Sequence, residues 1–144
     1  MQIPFINEYK WEELEQAYGS AEDAPVWLSD LTSQDEDIRD EAIYEFLHSQ
    51  ACQQYTTYSC TPPTVRCVIF ILSNHTFEDA DALFGIINFL QACTYNARKK
   101  EDLRQEILNG INCYRTFSLH SDDRIKLETQ KLIEFCNEFR VNVS

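Results

Sequence analysis

Ser33-Gln-Asp-Glu-Asp-Ile-Arg-Asp-Glu-Ala-Ile-Tyr-Glu-Phe-Leu47 is the stretch on which the fold turns. Ser33-Gln-Asp-Glu36 fits a capping box, in which a hydroxyl and a carboxylate three residues apart satisfy each other's free amides. Asp35, Glu36 and Asp37 put negative charge at the positive end of the helix dipole. Behind them Ile38, Ala42, Ile43, Phe46 and Leu47 form one apolar stripe at helical period. An amphipathic helix is predicted, and its stripe must be buried against neighbours.

Working outward, Trp11, Leu14 and Tyr18 recur at helical spacing, and Gly19 suits the residue that ends a helix, so a helix is predicted over 7–18. Pro25 opens a second segment, Val26 to Leu31, where a missing N–H costs little. Beyond the polar connection Gln53 to Ser59, Thr61-Pro62-Pro63 reads as a cap and first turn. Val65 to Leu72 is apolar and β-branched, which admits a buried strand; a lone strand would have no partner, and a helix is preferred. Thr76-Phe-Glu-Asp79 resembles a second box and leads into Leu83, Phe84, Ile86, Ile87, Phe89, Leu90 and Cys93, a helix apolar nearly all round and therefore central. Asn96 is the expected cap of a helix carrying Leu103, Ile107, Ile111 and Tyr114. Gly85 and Gly110 fall mid-helix at about 1 kcal/mol each, which close approach of a neighbouring helix would explain. Ser121-Asp-Asp starts a last helix that buries Ile125, Leu132, Ile133, Cys136 and Phe139. The prediction is about seven helices with short links, in one domain spanning 1–144.

Composition agrees with this and adds a charge argument. Three Gly and four Pro in 144 residues leave little material for hairpins. The first 47 residues hold thirteen carboxylates against two bases, Lys10 and Arg39, a net of −11 within a total of −12. Such lopsidedness selects which surfaces can approach. A polyanion must find a local basic patch. The one candidate is Arg98, Lys99, Lys100 and Arg104, yet residues 98–144 carry nine bases against eight acids. No nucleic-acid partner is expected. The start has no basic region followed by an apolar run, and the run Cys67 to Leu72 is far short of the ~20 residues a membrane helix needs, so a cytoplasmic chain without membrane contact is expected.

Chemistry-bearing motifs are sparse. Cys52, Cys60, Cys67, Cys93, Cys113 and Cys136 form no C-x-x-C pair, and the expectation is reduced thiols, mostly buried. His48, His75 and His120 stand on different elements; His48 with Cys52 and Cys60 lacks the tight spacing of a zinc site. Neither a metal nor any cofactor is expected. Carboxylate pairs such as Glu12 with Glu15, or Asp37 with Asp40 and Glu41, would do acid–base work only in a pocket that raised one pKa. No nucleotide-binding or nucleophile-elbow motif occurs. Asn74-His-Thr76 and Asn142-Val-Ser144 match a glycosylation sequon, which matters only in a secreted chain.

An internal repeat gives the helices an order. Leu31-Thr-Ser-Gln-Asp-Glu-Asp-Ile-Arg39 lies over Leu119-His-Ser-Asp-Asp-Arg-Ile-Lys126 with one gap, and Ile38 to Ile125 is about two periods of ~43 residues. Pro25 in a first helix and Ile38-Arg39 in the second resemble the pattern of the HEAT repeat family. Ala17-Tyr-Gly, Ala24-Pro-Val-Trp-Leu, Arg39-Asp-Glu-Ala42 and Gln54 to Val65 are similar to a group of short bacterial HEAT-like proteins, some assigned as immunity proteins in toxin systems. The chain departs from that group at Tyr55 and Arg66, which replace a glycine and a second proline, and its middle pair lacks a clear Val-Arg. The resemblance implies an all-α, right-handed α-α superhelix of the HEAT/armadillo type: three antiparallel pairs preceded by an N-terminal capping helix.

A solenoid offers an extended surface, and an acidic one selects a basic protein partner. The expected contact residues are Asp35, Glu36, Asp37, Asp40, Glu41, Tyr44, Tyr55 and Tyr58, with carboxylates pairing to lysine or arginine while tyrosines exclude water. Trp27 is a further aromatic that either binds or belongs to the core. A toxin domain with a basic cleft would suit this surface. The competing class is a chaperone-like or lyase-type enzyme on the same scaffold, dependent on an exposed, low-pKa Cys52 or Cys60; a bare scaffold or homo-oligomer is the third.

Overall fold

Three aspartates set the frame of the molecule. In the computed structural model, which describes residues 1–140, Asp35, Asp79 and Asp122 each sit in extended backbone at a helix start. Each carboxylate accepts two amides: Asp37 and Ile38, Asp81 and Ala82, Arg124 and Ile125. The caps are spaced 44 and 43 residues apart. Hydroxyl caps were expected at Ser33, Thr76 and Ser121. A carboxylate is charged, accepts both amides and faces the positive dipole end, so it displaces the hydroxyl. Ser33 instead accepts the amide of Asp35 and shapes the entry turn.

The helices behind these caps form the inner frame. Helix α1 spans Ala24–Asp30, with Pro25 in its first turn. Helix α2, Glu36–Glu41, runs directly into a π-helical segment, Ala42–Ala51, which buries Ala42, Ile43, Phe46, Leu47 and Ala51. Ser49 Oγ donates to the carbonyl of Tyr44, five residues back. Helix α3 is Thr61–Asn74, opened by Pro62 and Pro63; the possible strand over 65–72 is helix, burying Val65, Cys67, Val68, Ile71 and Leu72 on one face. Helix α4, Ala80–Ala97, is the central element, packed on the π segment and on the last helix, α7 (Asp123–Phe139). One apolar cluster runs from Ile3 to Cys136.

Two expectations fail. The predicted helix over 7–18 is instead a pair of 3₁₀ turns, Ile6–Glu8 and Trp11–Glu13, followed by a hairpin of β1 (Glu15–Gln16) and β2 (Gly19–Ser20). The amides a helix would use internally are taken from outside: Ala17 N–H donates to Gln50 O, Tyr18 N–H to Gln50 Oε1, and Glu15 N–H to Ser59 Oγ. A helix here would also have stacked Glu12 over Glu15, a like-charge pair. Gly19 turns at φ +98°, open to glycine without penalty. The N-terminal capping helix is therefore absent among the described residues. Trp11 still reaches the core, 4% exposed, with its indole N–H donating to Ile6 O.

The helix expected from Asn96 to Tyr114 is two. Asn96 stays inside α4, Lys100 takes the N-cap position of α5 (Glu101–Leu108), and the chain breaks at Asn109-Gly110 before α6 (Ile111–Phe117). A Cβ on Gly110 would lie 2.5 Å from Tyr114 Oη and 2.8 Å from Ile69 Cδ1. The buried Tyr114 hydroxyl donates to Ile107 O, 2.7 Å away, satisfying a carbonyl at the end of α5. Gly85 answers to a neighbour as expected: a Cβ there would meet Ile43 Cγ2 at 2.9 Å, where α4 crosses the π segment.

A second hairpin, β3 (Cys52–Gln53) with β4 (Thr56–Thr57), links the π segment to α3. Its two-residue loop holds Gln54 at φ +48° and Tyr55 at φ +68°. That geometry ordinarily calls for Asn-Gly, and left-handed backbone costs a residue with a Cβ roughly 1–2 kcal/mol.

Candidate protein-binding surface

The outer face of α2 and the π segment carries the acids. Asp37, Asp40, Glu41, Tyr44 and Glu45 recur one helical turn apart on the side away from Ala42, Ile43, Phe46 and Leu47. They line a shallow depression of about 410 Å³ with no base among its lining residues. Arg39, the only base of α2, points elsewhere: it forms an ion pair with Asp79 at 3.0 Å and donates to the carbonyls of Ser33 and Gln34.

Tyr44 stands at the edge of this depression, half exposed, its ring stacked 5.8 Å from His48. His48 is fixed from below. Its Nε2 lies 2.8 Å from Gly85 O, and a carbonyl only accepts, so Nε2 carries the proton and donates. Burial lowers the His48 pKa, the Gly85 carbonyl opposing it, and keeps the imidazole neutral.

The eight expected contact residues thus fall into separate groups. Asp37, Asp40, Glu41 and Tyr44 come together, joined by Glu45, which was not singled out although it lies one turn beyond Glu41. Asp35 is spent on its cap, and Glu36 is exposed beside it. Tyr58 is half-buried against the core, its amide donating to Thr61 Oγ1. Trp27 is also partly buried, stacked 6.3 Å from Phe46. Tyr55 belongs to another neighbourhood, the β3–β4 loop, with its ring 5.5 Å from Tyr95.

The thiols are shut in. All six cysteines are free and buried. Burial pushes Cys60 and Cys67 up to about 12 and Cys113 and Cys136 up to about 11, leaving them protonated at neutral pH. Cys52 goes the other way: a hydrogen bond with the Cys93 thiol, aided by a backbone contact with Tyr55, outweighs its burial. Among the described residues no three His, Cys, Asp or Glu side chains are placed to hold a metal ion, and no helix is long and apolar enough to cross a membrane. The sequon at Asn142 lies outside the described residues.

An open cavity of about 570 Å³ lies at the helix-start end, lined by Ser33, Arg39, His75, Phe77 and Asp79 among others. It is a gap between successive capping turns, bridged by the Arg39–Asp79 pair. A family model, a curated relative and a solved structure were each sought for this chain, and none matches.

Proposed function

We infer that this chain is a non-catalytic protein-binding module of HEAT-like build, whose acidic α2 and π surface covers a basic protein partner. The single observation that carries the reading is the depression of Asp37, Asp40, Glu41 and Glu45 around Tyr44, four carboxylates with no base among the residues that line it. An approaching cationic surface gains from all four at once and is steered from a distance, whereas polyanions are repelled. Tyr44 adds a compact amphipathic anchor beside them.

The solenoid part of the reading draws support from the three aspartate caps at a constant period and from the order of packing. The π segment, α4 and α7 lie side by side, while α1, α3 and α5 form a neighbouring series. Stacked pairs of that kind present an extended surface. A toxin domain with a basic, polyanion-binding cleft is the partner that this surface suits, which would make the chain an immunity protein acting by occlusion. The test is capture of the partner from native lysate at low and high salt, with wild type beside the variant D37K/D40K/E41K/E45K. A partner retained at low salt, released at high salt and lost with the variant supports the reading; capture indifferent to both removes it.

A further inference from the structure

Two of the six thiols touch. Cys52 opens strand β3, Cys93 lies in the C-terminal half of α4, and a hydrogen bond joins their side chains. Among the described residues the other four have no such partner: Cys60 is held by Thr64, Cys113 by Ser73, and no thiol bonds to Cys67 or Cys136. Both β3 and β4 pack on α4. Further contacts brace the pair from residues that follow Cys93 within about two helical turns. The Tyr55 ring lies 5.5 Å from Tyr95, Asn96 Nδ2 donates to Thr57 Oγ1 at 3.3 Å, and Lys100 Nζ donates to the same hydroxyl at 3.0 Å.

The hairpin itself adds an independent observation. Each of its strands has two residues, and its loop holds Gln54 at φ +48° and Tyr55 at φ +68°, left-handed backbone that a side chain makes unfavourable. Strain of this kind persists only where surrounding contacts hold it, and it gathers at functional sites. The two sulfurs also differ in character. The Cys93 thiol and a backbone contact with Tyr55 make Cys52 the more acidic of the two despite its burial, whereas burial and the neighbouring Cys52 push Cys93 up. A nucleophile beside a resolving thiol is the arrangement by which reactive cysteines form a disulfide.

We propose that Cys52 and Cys93 form an oxidation site, a dithiol that hydrogen peroxide closes to a disulfide, fastening the β3–β4 hairpin to α4. The Cys52 thiolate attacks one peroxide oxygen: the S–O bond forms, the O–O bond breaks, and hydroxide leaves, taking up the proton that Cys52 released. Cys93 Sγ then attacks the sulfenic sulfur of Cys52: the S–S bond forms, the S–O bond breaks, and the hydroxyl leaves as water with the Cys93 proton. Two thiols lose two electrons and two protons, and the peroxide becomes two waters. Cys52 keeps a small edge in solvent, 3% exposed, and Cys93 none. Hydrogen peroxide, little larger than water, reaches that edge where a bulky maleimide is held out. The bond would tie the exit of the π segment to the central helix across 93 − 52 = 41 positions of chain. The proposal stands apart from the acidic-face reading.

The test exposes the reduced, full-length protein to hydrogen peroxide, quenches it with catalase, and alkylates the remaining thiols in denaturant for mass spectrometry. Two thiols per chain should be lost on the order of tenfold faster than the other four, and dithiothreitol should restore them. A non-reducing tryptic digest should join the peptide 40–66 to the peptide 67–98, with fragmentation placing the link at Cys52 and Cys93. C60S should still form the link, while C52S and C93S should not, and dimedone should trap a sulfenic acid at Cys52 in C93S. Equal loss of all six thiols overturns the proposal, as does a Cys52 that stays reduced until urea unfolds the chain. A link from Cys60 or Cys67 in the wild type also overturns it, and that result does not depend on any variant folding.

Discussion

Replacing Asp79 with alanine should cost the fold more than the same change at either sister cap. The Asp79 carboxylate accepts the amides of Asp81 and Ala82, and its loss costs about 1 kcal/mol, as for helix caps generally. It also holds Arg39, whose side chain is 14% exposed and whose Nε already lacks a partner. Asp79 is 31% exposed, so solvent screens the pair and its share is about 1 kcal/mol, with a further fraction for the stranded guanidinium. The sum is about 2–3 kcal/mol for D79A, against about 1 kcal/mol for D35A, where the cap alone is lost. For a chain of this size that is a drop of roughly 5–10 °C in Tm. D79N separates the parts, because asparagine still caps but carries no charge. Urea denaturation of D35A, D79A, D79N and the cycle D79A with R39M is the assay. Equal losses at Asp35 and Asp79, or no coupling between Arg39 and Asp79, would refute the claim that this residue both caps α4 and ties two capping turns together.

Other outcomes follow from the same structure. G110A should destabilise by about 2–3 kcal/mol in the same urea assay, since its Cβ would fall 2.5 Å from Tyr114 Oη, and Y114L should recover part of that loss. His48 is lowered below 6.5 by burial, so as pH falls below about 6.5 the unfolded chain binds the proton first. Stability should therefore be complete above that pH and decline beneath it, and H48Q should flatten the decline in a Tm–pH profile. A second acid limb is expected below 3.8. Burial alone would raise Asp79, but the Ala82 amide, Arg39 and the Asp81 amide together hold it lower, so its contribution is lost only as pH falls through that depressed value. Maleimide labelling of the native protein should be slow at all six thiols and accelerate with urea; rapid native labelling at Cys52 would show that the β3–β4 hairpin opens freely.

The sequence revealed the fold where the signal was local and periodic. Ala42 to Leu47, Leu83 to Cys93 and Ile125 to Phe139 are each helical and turn their apolar stripes inward, and Gly85 sits where another helix crosses; Ile38, expected on the first stripe, is instead 41% exposed, one turn ahead of the packed π segment. It misled where long-range hydrogen bonds overrode period, as at Ala17 and Tyr18, whose amides go to Gln50. The middle helix pair lacks a clear Val-Arg in the sequence; what the structure shows there is an aspartate cap at Asp79 like those at Asp35 and Asp122. The acids Asp37, Asp40 and Glu41 could be grouped from helical spacing, and Glu45 by the same rule. The Tyr55–Tyr95 contact had no such signal, because it joins a hairpin loop to a helix distant in the chain.

The central claim is that carboxylates on one face of α2 and the π segment receive a basic partner. Its most direct test is the affinity of the captured partner for wild type and for D37K/D40K/E41K/E45K across a salt series, with Tm measured on both. The account predicts a steep salt dependence for wild type, little binding by the variant at any salt, and Tm values close together because these side chains point to solvent. Undiminished binding by a folded variant would contradict it.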